Sequence, residues 1–217
     1  MEFNYIADGI DAVVIDNFYT EDQLNDIHHE LKFLTKPSIM SDDRDKLEAG
    51  VDLDGNFVTT KAGIWVDTVF RDWKHSSLIS HPMSNFSKKE TVDKIISYNS
   101  LFSLFYHCNV RTHLLSYYEH AGYYSKHVDA AVFTVLSYFY KEPKQFSGGN
   151  ITLHNRDSTR KANIEIKNNR VIIIPSCTVH EVEKIEMTSK KLSGDGRYCC
   201  AIFLNVQHIK EKHNDSN

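Results

Sequence analysis

The chain has 217 residues, of which 41% are hydrophobic and 25% charged, a composition ordinary for a globular protein that builds its core without disulfide support. Its 25 basic and 29 acidic residues give a formal charge of -4, which excludes an extended basic surface for nucleic acid. Neither a secretion signal nor an apolar run long enough to span a membrane is found, so we expect a cytoplasmic protein with no membrane partner.

The N-terminal part predicts a strand and then a helix. Residues 12–15 form a short apolar run, and Thr20 with Gln23 makes a capping box, the signature of a helix start. Apolar residues then recur at helical spacing, at Leu24, Ile27, Leu31 and Leu34. The polar segment 36–56 is predicted as a loop that ends in a hairpin turned at Asp54-Gly55-Asn56.

A second helix is predicted from Thr91, its expected cap, to Cys108. Beyond residue 113 the pattern changes to short extended runs separated by turns, at 114–118, 124–130, 132–140, 149–154, 162–166, 170–175, 178–184 and 197–206. Gly148-Gly149 marks a tight connection, and Asn168-Asn169 is predicted as a hairpin tip.

These elements predict a mainly β fold with flanking helices, a double-stranded β-helix or jelly roll. We expect one domain over residues 1–217, with helical support at 1–112 and the jelly-roll core at 113–206. The four cysteines are Cys108, Cys177, Cys199 and Cys200. They make no C-x-x-C pair and are expected to be reduced thiols, with Cys199 and Cys200 on opposite faces of a strand.

The most informative motif is His127-Val128-Asp129. In an extended strand the first and third side chains share one face, so the His127 imidazole and the Asp129 carboxylate can bind the same metal ion. His180, on a later strand, completes two histidines and one carboxylate, the facial set that holds non-haem Fe(II) and leaves positions open. Such a motif is weak alone, because the chain has 12 histidines and H-x-D arises by chance.

The surrounding sequence adds weight to this interpretation. The stretch Y-E-H-A-G-Y-Y-S-K-H-V-D at 118–129 is followed by T-V-L-S-Y-F-Y at 134–140, V-I-I-I-P at 171–175, H-E-V at 180–182 and G-D-G-R at 194–197. In order and spacing this series resembles the Fe(II)- and 2-oxoglutarate-dependent dioxygenases, most closely their prolyl 4-hydroxylase-like branch. The resemblance covers roughly residues 113–206.

The resemblance implies that 2-oxoglutarate fills two iron positions and O₂ the last, while Arg197 pairs with the distal C5 carboxylate. Arg197 stands further beyond His180 than the family's basic residue usually does. Lys190 and Lys191 stand at the usual distance and are its rivals. Tyr138 matches a family tyrosine that reaches the same carboxylate.

Three further points about aromatic residues and cofactors follow from the resemblance. Tyr118 matches a tyrosine that hydrogen-bonds the co-substrate, with Tyr117 as its alternative. Tyr124 is placed at the substrate mouth. Ascorbate is expected to support turnover.

The implied activity is hydroxylation of an amino-acid side chain, with a prolyl residue of a protein or peptide as the first candidate, and conversion of 2-oxoglutarate to succinate. A free amino acid or small metabolite is the alternative substrate. Two rival functions stay open at this stage: a non-catalytic metal-binding jelly roll, and a hydrolase or isomerase that uses zinc or manganese at the same three ligands.

Overall fold

The computed structural model describes residues 1–7, 9–41, 58–188 and 194–207. The strands are β1 (Glu2–Ile6), β2 (Ala12–Asp16), β3 (Thr59–Thr60), β4 (Ala62–Trp65), β5 (Val110–Tyr118), β6 (Tyr123–His127), β7 (Phe133–Phe139), β8 (Phe146–Gly148), β9 (Ile151–His154), β10 (Lys161–Ile164), β11 (Arg170–Pro175), β12 (Val179–Val182), β13 (Ile185–Met187) and β14 (Arg197–Asn205). The helices are α1 (Glu21–Leu34), α2 (Val66–Val69), α3 (Ser77–Phe86) and α4 (Lys89–Ile96), with 3₁₀ turns at Trp73–His75 and Ser100–His107.

Two facing antiparallel sheets make the jelly roll that the sequence predicts. Within the described residues, the larger sheet has the strand order β1-β2-β11-β7-β14-β5-β4, and the smaller has the order β10-β9-β12-β6-β3. A third, two-stranded sheet pairs β13 with β8. Residues before 113 therefore contribute strands to both main sheets as well as helices.

The larger sheet is buried on both faces, which explains its apolar sequence. Along β11, Val171 and Ile173 pack toward the helices, whereas Ile172 and Ile174 pack between the two sheets. Cys199 and Cys200 divide in the same way, which confirms that they face opposite sides of β14. All four cysteines are free.

Helix α1 confirms the predicted start and the predicted apolar stripe. The Thr20 hydroxyl accepts from the Gln23 N–H at 3.3 Å, and the Gln23 side chain accepts from the Thr20 N–H at 3.1 Å. Ile27, Leu31 and Leu34 are buried against the larger sheet. None of the described helices has the length and hydrophobicity needed to cross a bilayer.

The long helix predicted from Thr91 to Cys108 is wrong. Helix α4 already starts at Lys89, so Thr91 lies inside it, and the helix ends at Ile96. Asn99 is extended, and its side chain accepts the Leu101 N–H at 2.9 Å, which starts the following 3₁₀ helix. An asparagine that bonds the local backbone competes with the helical pattern, and this explains the break.

The hairpin predicted at Asn168-Asn169 is also wrong, because β10 pairs with β9 in the smaller sheet and β11 pairs with β2 and β7 in the larger one. Asn169 has a positive φ of 62° and its side chain makes two hydrogen bonds with the backbone of Tyr19. These bonds fix the point at which the chain crosses between sheets. The predicted turn at Asp54-Gly55-Asn56 lies outside the described residues.

Candidate metal and 2-oxoglutarate site

Strands β6 and β12 bring the two predicted histidines together. His127 ends β6 and is paired in register with His180 of β12, and their ring centroids are 4.1 Å apart. Asp129 lies just beyond the end of β6, where its N–H donates to the Ser176 carbonyl at 3.0 Å. One ligand atom from each of the three residues lies within 4.8 Å of the other two.

Both imidazoles are oriented by the backbone. The Nδ1 atom of His127 is 2.8 Å from the Ser125 carbonyl, and that of His180 is 2.9 Å from the Thr178 carbonyl. Since a carbonyl only accepts, each Nδ1 carries a proton, which leaves Nε2 as the ring atom that can bind a metal. The Nε2 atoms lie 3.8 and 3.6 Å from the two carboxylate oxygens of Asp129.

Burial, together with the smaller effect of the neighbouring His180, lowers the pKa of His127 to about 3. The imidazole is therefore neutral over the physiological range. Neutral imidazole is the form that coordinates a cation, so the local environment fits a metal ligand.

A buried hydroxyl pair orients the carboxylate. The Thr134 hydroxyl donates to Asp129 Oδ2 at 2.7 Å and lies 2.8 Å from the Ser176 hydroxyl. Such partners fix the direction of a ligating carboxylate and are a regular part of metal sites. No local sequence pattern marks these two hydroxyls, because their contact with Asp129 depends on the pairing of β7 with β11.

Arg197 lies at the start of β14 and is only 1% exposed. Its guanidinium carbon is 4.8 Å from the ring centroids of both Tyr118 and Tyr138. Among the described residues, its Nε and Nη1 atoms have no hydrogen-bond partner, and neither has the Tyr138 hydroxyl. Burial raises the pKa of Tyr138 well above its usual range, so this phenol stays a donor.

An unpaired buried guanidinium is costly, and a carboxylate of a bound molecule would satisfy it bidentately. The three unpartnered donor atoms therefore fit the distal carboxylate of a dicarboxylate such as 2-oxoglutarate.

The same cavity is lined by the three potential metal ligands, Arg197, Tyr118, Tyr138 and Tyr124. The ring of Tyr124 stacks on His127 with centroids 3.5 Å apart. Tyr117 faces the helices instead, where it stacks near Tyr198 and its hydroxyl donates to Glu119. The register thus places Tyr118 rather than Tyr117 in the cavity. Lys190 and Lys191, the rivals of Arg197, lie outside the described residues.

One cavity residue was missed by the sequence analysis. Lys61 lines the cavity, and its ammonium lies 5.0 Å from the Tyr124 ring centroid. Burial lowers the pKa of Lys61 to about 8, while Cys199 and Asp129 act in the opposite direction. No local motif marks this lysine, because its position depends on how β3 and β4 join the two sheets.

The sequence profile of the 2OG-Fe(II) oxygenase superfamily matches residues 112–205. No curated protein matches the chain in sequence. Solved structures share the fold at low identity. A prolyl-4-hydroxylase from Pseudomonas putida aligns with a TM-score of 0.55 and 13% identity, over 91% of this chain and 93% of its own.

Two further structures align over most of the chain. A prolyl hydroxylase from Trichoplax adhaerens, solved with a peptide fragment of the hypoxia inducible factor oxygen degradation domain, has a TM-score of 0.58 and 17% identity over 89% of this chain and 83% of its own. The protein OsALKBH1 has a TM-score of 0.50 and 14% identity over 95% of this chain and 100% of its own.

These likenesses establish the fold, whereas the profile match runs from β5 to β14 and so includes both sheets around the cavity. The family implies Fe(II), 2-oxoglutarate and O₂, and the cavity offers two imidazoles, a carboxylate and a guanidinium with two unpartnered nitrogens to receive them. Residues 112–205 therefore carry the sequence pattern of the 2OG-Fe(II) oxygenase superfamily, and this match supports a 2-oxoglutarate-dependent dioxygenase.

Proposed function

We propose that this dioxygenase hydroxylates an amino-acid side chain, with a prolyl residue of a protein or peptide as the first candidate, and converts 2-oxoglutarate to succinate. His127, Asp129 and His180 would hold Fe(II), and Arg197 with Tyr138 and Tyr118 would hold the co-substrate. The observation that carries this proposal is the clustering of three ligand atoms in one cavity with a buried, unpaired guanidinium.

Each residue has a distinct task in this proposal. The histidines present Nε2 to the metal because their Nδ1 protons are held by backbone carbonyls. Thr134 keeps one oxygen of Asp129 hydrogen-bonded and so limits its rotation. Arg197 and the Tyr138 hydroxyl donate to the C5 carboxylate and orient it. When bound, Fe(II) and 2-oxoglutarate supply the activation of O₂, which the side chains alone cannot provide.

The prolyl assignment rests on the resemblance to the prolyl 4-hydroxylase-like branch. The fold is shared with prolyl hydroxylases, one of them solved with a peptide, but also with OsALKBH1, so the fold alone does not select a substrate. The formal charge of -4 disfavours nucleic acid, since no basic excess is available to bind phosphates. A protein or peptide is therefore the preferred partner.

The cell compartment and the reductant complete the proposal. Four free cysteines suit a reducing compartment such as the cytoplasm. We expect ascorbate to sustain turnover by keeping the iron ferrous.

The direct test is to incubate the purified protein with Fe(II), ascorbate and 2-oxoglutarate, and to measure succinate with and without proline-containing peptides. Mass spectrometry of the peptides should show a gain of one oxygen. His127→Ala and Asp129→Ala should abolish both signals, whereas His107→Ala, at an exposed histidine of the 3₁₀ helix, should leave them unchanged. Tight iron binding without any 2-oxoglutarate consumption would favour a non-catalytic module.

A further inference from the structure

Lys61 is fixed at the junction of the two sheets. Its predecessor Thr60 belongs to β3 of the smaller sheet, and its successor Ala62 belongs to β4 of the larger one. The Thr59 hydroxyl donates to the Tyr123 carbonyl at 2.8 Å, which ties β3 to β6. The lysine backbone is therefore held on both sides, and its half-buried side chain lines the cavity of the metal ligands.

The ammonium of Lys61 has no carboxylate partner among the described residues. It lies over the ring of Tyr124, which stacks on His127. Two exposed lysines of the described chain, by contrast, pair with carboxylates: Lys89 with Asp93, and Lys141 with Asp195. An ammonium that lines a cavity over an aromatic ring, without a carboxylate partner, keeps donors free for a bound anion.

Charge accounting supports an anion at this position. The charged side chains of the cavity are Asp129, Arg197 and Lys61, which sum to one positive charge when the histidines are neutral. Fe(II) and 2-oxoglutarate carry equal and opposite charges, so their binding leaves this sum unchanged. Asp129 and Arg197 balance each other, and the charge left over is that of Lys61.

We propose that Lys61 binds a carboxylate of the substrate, next to the side chain that is hydroxylated. This inference rests on the proposed function and narrows its substrate class to amino acids or peptides with an acidic group beside the target residue. The carboxylate could be the α-carboxylate of a free or C-terminal residue, or the side chain of an adjacent acidic residue. Lys61 would be a specificity-determining residue, because it recognises the substrate and takes no part in oxygen activation.

Binding can be measured without turnover by loading the protein with Zn(II) in place of Fe(II), together with 2-oxoglutarate. The probes are two matched pairs: N-acetyl-proline against N-acetyl-prolinamide, and N-acetyl-Pro-Glu-amide against N-acetyl-Pro-Gln-amide. NMR titration gives the dissociation constants. The wild type should prefer the acid of at least one pair by about tenfold, the contribution of one charge-assisted hydrogen bond. The pair that shows the preference identifies the source of the carboxylate.

The matched variants are Lys61→Gln and Lys126→Gln. Lys126 is an exposed lysine of β6 whose loss changes the net charge equally. Lys61→Gln should bring the acid preference to within about twofold, and Lys126→Gln should keep it in full. The affinity for 2-oxoglutarate should not change in either variant. The proposal would be overturned if the wild type showed no acid preference, or if the preference survived Lys61→Gln. It would also be overturned if Lys61→Gln lost affinity for 2-oxoglutarate instead of the acid preference.

Succinate formation by the Fe(II) enzyme is measured in parallel, which separates the two proposals. An acid preference that depends on Lys61, without any succinate, would leave the carboxylate site standing and contradict the proposed hydroxylation. Succinate formation without an acid preference would support the 2-oxoglutarate-dependent activity and contradict the carboxylate site at Lys61.

Discussion

The Arg197 side chain should destabilise the ligand-free protein although it binds the co-substrate. Arg197→Met therefore gives a sharp prediction. The guanidinium is buried at 1% exposure, and two of its nitrogens lack partners. Desolvating an unpaired charge costs several kcal/mol, and cation–π contacts with the two tyrosine rings at 4.8 Å offset part of this cost. Replacement by the apolar, similarly long methionine should therefore raise the free energy of unfolding by about 1 to 3 kcal/mol.

With 2-oxoglutarate present, the wild type should recover most or all of this difference in stability. A ligand at a hundred times its dissociation constant stabilises a protein by about 2.7 kcal/mol, and the wild type should gain this amount. Arg197→Met should gain almost nothing, because loss of a bidentate charged pair weakens binding by roughly 100-fold or more.

The assay is thermal unfolding of the Zn(II)-loaded proteins with and without 2-oxoglutarate, where 1 kcal/mol corresponds to about 2 to 4 °C for a chain of this size. The comparison variant is Lys190→Gln with Lys191→Gln, which should behave like the wild type. The reasoning is refuted if Arg197→Met is less stable without ligand, or if it keeps the stabilisation by 2-oxoglutarate while the double lysine variant loses it.

Two further changes test the site, and a third tests the ion pair between β2 and β11. Thr134→Val removes the hydrogen bond to Asp129 and should lower Fe(II) affinity by about 10- to 100-fold in a metal titration; an unchanged affinity would contradict the orienting role. Tyr138→Phe removes a buried unpartnered hydroxyl, so it should raise ligand-free stability by about 1 kcal/mol while the KM for 2-oxoglutarate rises about tenfold; the opposite sign of either effect would argue against a donor role. Hydrogen bonds from Arg170 lower the pKa of Asp16, so the stability they add is present above its ordinary pKa of 3.8 and is lost as the pH falls through the lowered value. Asp16→Asn should thus cost about 1 kcal/mol at pH 7 in urea unfolding and clearly less near pH 2, and an equal cost at both would show that the ion pair is not responsible.

The parts of the site that the sequence predicts are those governed by short-range rules. His127 and Asp129 are separated by one residue, and His180 lies in the alternating segment 178–184 that predicts a strand, so the direction of these side chains follows from the alternation along a strand. The capping box of α1 is equally local, because Thr20 and Gln23 satisfy each other's backbone donors.

The features that the sequence could not predict depend on contacts between distant segments. The Asn169 side chain makes two hydrogen bonds with the backbone of Tyr19, and no local pattern predicts them. Because of these bonds the chain crosses between the sheets where a hairpin was expected. Lys61 reaches the cavity only because β3 pairs with β6 and β4 pairs with β5. Helix α3 contains Pro82, a residue that obscures a helical pattern, and the sequence analysis did not predict it.

The most direct test of the metal site is an anaerobic titration of the metal-free protein with Fe(II) and then 2-oxoglutarate, followed by visible absorption. Bidentate chelation of Fe(II) by the co-substrate gives a weak charge-transfer band that zinc cannot produce. We predict this band at one equivalent of iron in the wild type, and its loss in His180→Ala. A band of undiminished intensity in His180→Ala, or no band in the wild type, would contradict the assignment of these three side chains to the iron.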